Sequence, residues 1–174
     1  MSGSRLWILL AVTGACALGC DGGGVAAPPG AAVRVSAPAP HEKPGAPARL
    51  ELLSSRAHEQ LALPFSEAAR VGDLIFVSGQ IGNLPGTLDL APGGIQAETK
   101  QALANIASIL ERNGSSLARV AKCTVFLLDM AEWPALNEVW IATFPNKPAR
   151  SALGASGLAK GARVEIECIA VADE

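Results

Sequence analysis

The stretch that most constrains this chain is its end. Residues 162–171 read ARVEIECIAV and alternate with a period of two. Val164, Ile166, Cys168 and Ala170 fall on one side; Arg163, Glu165, Glu167, Ile169 and Val171 fall on the other. That period belongs to a strand with one face covered, so the chain must supply a layer to cover it. Ile95–Asn113 does so: Thr99, Ala102, Leu103, Ile106, Ile109 and Leu110 recur at helical spacing, and Asn113-Gly114 is a stop signal. A second helix is predicted from Glu132 to Phe144, with Pro134 in its first turn and Leu136, Val139, Trp140 and Phe144 as its stripe. Further strands are predicted at Arg49–Ser54, Phe65–Val71, Leu74–Ile81, Val120–Leu128 and Arg150–Ala155, with Gly72-Asp73 as a turn and residues 82–94 as a Gly/Pro loop. Strands interleaved with two helices, then two consecutive strands, predict an α+β fold with a mixed sheet.

The first 48 of the 174 residues do not fit that core. One charge in MSGSR precedes a 13-residue uncharged run, Leu6 to Leu18, and then Gly19-Cys20-Asp21. A helix needs about 20 apolar residues to span a bilayer, so the run is expected to be a signal peptide, residues 1–19. Ala17-Leu18-Gly19-Cys20 resembles a bacterial lipobox, which implies lipid attachment at Cys20, with Cys16 the weaker candidate. Several acyl chains anchor durably where one does not. The expectation is an exported protein held to a bacterial membrane on its periplasmic or cell-surface side. Plain export by signal-peptidase cleavage and a structural N-terminal helix are the alternatives. Residues 20–48 form a tether: from Asp21 on they hold six of the twelve prolines and five of the eighteen glycines, too little apolar surface to offset ordering entropy. The folded domain is expected at 49–174.

That domain has 11 basic and 14 acidic residues. Nucleic-acid binding normally needs a basic face, so no nucleic-acid partner is expected. Metal-ligand spacing, a phosphate-cradling loop and a dinucleotide fingerprint are all missing. His41 falls in the tether, and His58 stands outside every motif. Glu165 and Glu167 point the same way on a strand; this describes either a solvated sheet face or a general acid/base carboxylate. Arg150, in Pro148-Ala149-Arg150-Ser151, offers a planar fork for a carboxylate or a structural ion pair. Gly79, after Ser78, permits close backbone approach or marks a bulge. Asn137 reads as an exposed helix residue. Cys123 and Cys168 read as small core residues that could pair if their strands adjoin.

Six segments in this order go further: LIFVSGQIG (74–82), Gly93-Gly94-Ile95 with Glu98-Thr99, NGSSLARVAKCTVFLLDM (113–130), Asn137-Glu138-Val139, PARSA (148–152) and RVEIECIAV (163–171). Together they resemble the RidA (YjgF) family of reactive imine/enamine deaminases over residues 50–174. The resemblance implies a chorismate-mutase-like fold, a mixed sheet packed by two helices, and a homotrimer with clefts between subunits. It implies cofactor-free hydrolysis of 2-imino acids and enamines such as 2-aminoacrylate to 2-keto acids and ammonia. By position, Arg150 would clamp the substrate carboxylate, with help from the Ala152 backbone. Glu165 would activate the water, Glu167 being structural. Ser78 and Gly79 would line the cleft, and Asn137 would support it.

The sequence departs from the family twice. Phe65 stands where the deaminases usually have tyrosine, and the chain holds no tyrosine at all. Ala152 replaces a cysteine found in some members. The first departure motivates an alternative, a non-catalytic small-carboxylate-binding or chaperone-like member. Ribonuclease activity, for which some members are named, fits poorly with the acidic balance and the missing catalytic histidine.

Overall fold

A computed structural model describes residues 49–173. The signal-peptide, lipobox and tether expectations lie outside them. Six strands form one sheet: β1 (Leu50–Leu53), β2 (Ala68–Val71), β3 (Leu74–Ile81), β4 (Val120–Leu127), β5 (Ala149–Gly154) and β6 (Val164–Val171). Their order is β1-β2-β3-β6-β4-β5. All neighbours are antiparallel except β4 and β5. The helices are α1 (Arg56–Gln60), α2 (Gly94–Arg112) and α3 (Trp133–Thr143). The expected mixed sheet is present; α1 is an element the sequence reading missed.

Alternation along β6 sets the layering. Val164, Ile166, Cys168 and Ala170 are buried, under α2 and α3. The stripes read from sequence supply the cover, with Leu103, Ile106, Leu110, Leu136 and Phe144 all buried. Such residues contribute roughly 1.5–3 kcal/mol each on burial. The buried Glu98 carboxylate accepts the Arg163 backbone N–H at 2.8 Å and fixes the approach to β6. Gly82 makes room for this: a Cβ there would lie 2.5 Å from Glu98 Cα.

Cys123 of β4 sits directly across from Cys168 of β6, and the two form a disulfide, with Cα atoms 4.1 Å apart. The pairing that the sequence left open is thus a staple between two central strands.

Among the described residues, no helix stripe packs on the other sheet face. Leu50, Val71, Leu74 and Val171 make one cross-strand row there, and Leu52, Ala69, Phe76 and Ile169 make the next. Leu52 is 69% exposed and Phe76 is 39% exposed.

One expected boundary moved by several residues. The predicted strand from Phe65 starts at Ala68, because residues 65–67 are held as a loop against the far half of β3. Ser78 does the holding: its N–H donates to Glu67 O at 3.0 Å and its hydroxyl to Ser66 O at 2.7 Å. β2 is therefore short, and Gly79-Gln80-Ile81 lacks a strand partner on that side.

Candidate active site

The register between β3 and β6 shifts between Val77 and Gln80. Val77 pairs with Cys168 and Gln80 with Ile166, so Ser78 and Gly79 together face Glu167. This is a bulge, a device that re-aims side chains beside functional sites. After it, Ile81 pairs with Glu165. The Glu165 side chain lies across Gly79: a Cβ at Gly79 would overlap Oε1 and sit 2.9 Å from Cδ. Glycine at 79 leaves the room that the Glu165 carboxylate occupies, and the bulge reading holds.

Glu165 opens into a cleft of about 500 Å³. The cleft is bounded by α1 and the loop after it, by α2, and by the 83–88 loop. Phe65 and Gly79 also line it, and so does His58. His58 Nε2 donates to Phe65 O at 2.7 Å, and the two rings lie 5.6 Å apart. A carbonyl only accepts, so Nε2 carries a hydrogen. Sequence reasoning set His58 aside. A five-residue helix with no buried residue carries no periodicity to announce it. One local signal existed: Ser55 caps the helix by accepting from His58 N–H at 3.2 Å.

Arg150 lies elsewhere. It pairs with Cys123, which pairs with Cys168, so all three share the helix-covered face. Its Nη2 donates to Asn137 Oδ1 at 2.8 Å. Its guanidinium carbon is 5.2 Å from the Trp133 ring and 4.8 Å from the Trp140 ring. Nη1 is buried with no hydrogen-bond partner among the described residues. Burial lowers the Arg150 pKa, yet a guanidinium stays charged. The result is a cation stacked between two indoles, oriented by an amide, with one donor unspent. A buried donor without a partner is costly, and a carboxylate would satisfy it. Asn137, an exposed helix residue by pattern and a support of the site by resemblance, is the orienting amide. Trp133 and Trp140 were read only as helix residues, because nothing in the spacing ties them to β5.

Ala152 follows on β5, an edge strand with no partner on its outer side among the described residues. Ser78 lines a shallow depression beside the cleft, with its hydroxyl committed to Ser66. Glu167 points to the open face opposite Thr124. The structure brings together Glu165, Gly79 and Phe65, and separately Arg150 and Asn137. Within one chain the two groups do not meet, since Glu165 is on the face opposite Arg150 with β4 between their strands. Among the described residues no cluster of three or more His, Cys, Asp or Glu could hold a metal.

This geometry defines an α+β domain with a cleft carboxylate on one side of its sheet and, on the other, a guanidinium held by Asn137 beside two indoles. A family model described as Endoribonuclease L-PSP matches residues 57–172. A 2-iminobutanoate/2-iminopropanoate deaminase of Capra hircus is 45% identical over 109 residues, covering 62% of this chain and 80% of that protein. The crystal structure of RidA from an Antarctic Psychrobacter is 36% identical, with a TM-score of 0.61, over 69% of this chain and 93% of that one. E. coli TdcF with bound serine is 28% identical, with a TM-score of 0.60, over 70% of this chain and 94% of that one. The chain belongs to the Endoribonuclease L-PSP family, the RidA (YjgF) family that its motifs resemble.

Proposed function

We propose that this chain is a hydrolytic deaminase of 2-imino acids and their enamine tautomers, releasing a 2-keto acid and ammonia. The observation that carries this reading is the Arg150 clamp. A charged guanidinium with a buried, unspent Nη1 between Trp133 and Trp140 suits a substrate carboxylate. The names of the deaminase relatives support the same chemistry. The iminium carbon is already electrophilic, so positioning one water and one proton carrier suffices. Glu165 takes a proton as the water oxygen bonds to that carbon. The carboxyl returns the proton to nitrogen; the regenerated carboxylate then takes the hydroxyl proton as the C–N bond breaks and the carbonyl forms, and it passes that proton to the departing ammonia.

The reading includes a homotrimer. Glu165 cannot reach the Arg150 of its own chain across the sheet, so the clamp comes from a second copy. The exposed apolar rows on the open face fit burial between copies. It also includes export and lipid attachment at Cys20. The sequence of residues 1–20 supports this, and so does the Cys123–Cys168 bond, since disulfides persist in oxidising compartments.

The test supplies the full chain with imines generated by an amino-acid oxidase. Keto-acid release should accelerate over buffer, and Arg150→Ala should abolish the acceleration. Release at the buffer rate would refute catalysis. If ligand then still raised Tm, the non-catalytic binding alternative, for which the hydroxyl-free Phe65 is the motive, would replace it.

A further inference from the structure

Glu67 ties together three of the elements around Glu165. Its carboxylate is largely buried, with 14% of the side chain exposed. Oε2 accepts the Ser55 N–H at 2.6 Å, and Oε1 accepts the Ser55 hydroxyl at 3.1 Å. Ser55 is the N-cap of α1. Arg112, in the last turn of α2, donates through Nη2 to both oxygens at 3.1 Å. The Glu67 backbone carbonyl accepts the Ser78 N–H at 3.0 Å, where the bulge begins.

These ties are unequal. The Arg112 side chain is 43% exposed, and an ion pair so open to water contributes little. The Ser55 bonds are the firmer ones, because a carboxylate accepting a backbone N–H makes a charge-assisted bond. They join the 61–67 loop to α1. The ladder between β2 and β3 ends at the Ala68–Val77 pair. Past that pair the loop holds Ser78 twice, through Glu67 O and through Ser66 O at 2.7 Å. Gly79 comes next, and the Glu165 carboxylate lies across it. Every one of these bonds is made within one chain, so none depends on a neighbouring copy.

We infer that Glu67 is a positioning residue for Glu165. Its two oxygens fasten the 61–67 loop to α1, and the fastened loop sets the bulge across which Glu165 lies. Glu67 touches no reacting atom. This rests on the deaminase reading above.

The experiment measures kcat, KM and Tm of the full chain on imines generated by an amino-acid oxidase. Glu67→Gln loses the charge, but its oxygen still accepts the Ser55 N–H and its amide can donate to the Ser55 hydroxyl. Glu67→Asp keeps the charge and withdraws both oxygens by one methylene. Because small misplacements are costly, Glu67→Ala and Glu67→Asp should each lose about tenfold or more in kcat with KM within about twofold of wild type, while Glu67→Gln stays within about threefold. In a Gly79→Ala background, where Glu165 is already displaced, Glu67→Ala should cost less than about threefold more, since both changes act on the same carboxylate. Glu67→Asp replaces the alanine variant in both comparisons if the latter does not fold. Wild-type kcat in Glu67→Ala or Glu67→Asp, a Glu67→Gln as impaired as Glu67→Asp, or losses that multiply in the double variant would overturn the inference and leave the deaminase reading intact. A wild type that accelerates no imine would overturn the deaminase reading, and this inference with it.

Discussion

Arg150 and Glu165 project from opposite faces of one sheet, with β4 between their strands. The two side chains with the clearest chemistry thus belong to different surfaces of the molecule. Each is prepared separately: Glu165 by the bulge and the bare backbone of Gly79, Arg150 by two indoles and an amide.

Gly79→Ala should disable Glu165 with little effect on folding. The added methyl overlaps a carboxylate tip that can swing aside, so the cost falls on alignment. A displacement of about 1 Å can cost roughly 100-fold in rate. Steady-state kinetics should show kcat falling 10- to 100-fold, with Tm within a few degrees of wild type.

Arg150→Lys should fail to rescue the clamp. Lysine keeps the charge but loses the fork and the stacking on Trp133 and Trp140. Asn137→Ala should be milder, because only Nη2 loses its partner. One lost hydrogen bond to a charged group is worth about 1.5–3 kcal/mol. KM should rise in both variants, more in Arg150→Lys, while kcat changes less.

The double variant Cys123→Ala/Cys168→Ala should fold but melt earlier. The bond links residues 45 apart in sequence, and closing such a loop is worth about 2–4 kcal/mol. Thermal unfolding with and without reductant measures it. Reductant should lower the wild-type Tm and leave the double variant's unchanged. Equal Tm values for the two unreduced proteins would show that the staple contributes nothing.

Much of the fold was legible because it follows from periodicity. The β6 alternation and the α2 stripe each identify a buried face, and β3 was bounded correctly at Leu74–Ile81. The shortfall at β2 has a local cause. Phe65–Glu67 looks like a strand, but Ser78 ties it down as a loop, and a hydroxyl 12 residues away leaves no pattern. Register is likewise unreadable from one sequence. The Cys123–Cys168 pairing, the Arg150–Asn137 bond and the bulge at Ser78-Gly79 all depend on it. Glu165, Arg150 and Gly79 are candidates from residue chemistry and pattern alone, and motif resemblance adds their roles; neither gives which strands adjoin. Neither could tell that Arg150 and Glu165 are kept apart within a chain, or that His58 lines the Glu165 cleft.

The central claim is a deaminase cleft completed by two copies of this chain. Co-expressing Arg150→Ala with Glu165→Gln tests it most directly, since each variant alone should be nearly inactive. A mixed oligomer would place an intact Glu165 from one chain against an intact Arg150 from its neighbour. Random assembly of two chain types restores roughly a quarter of such shared clefts. The account predicts imine hydrolysis at about that fraction of wild type from the mixture, lost when the two proteins are purified separately and assayed without exchange. A mixture no more active than the sum of the two variants would contradict it.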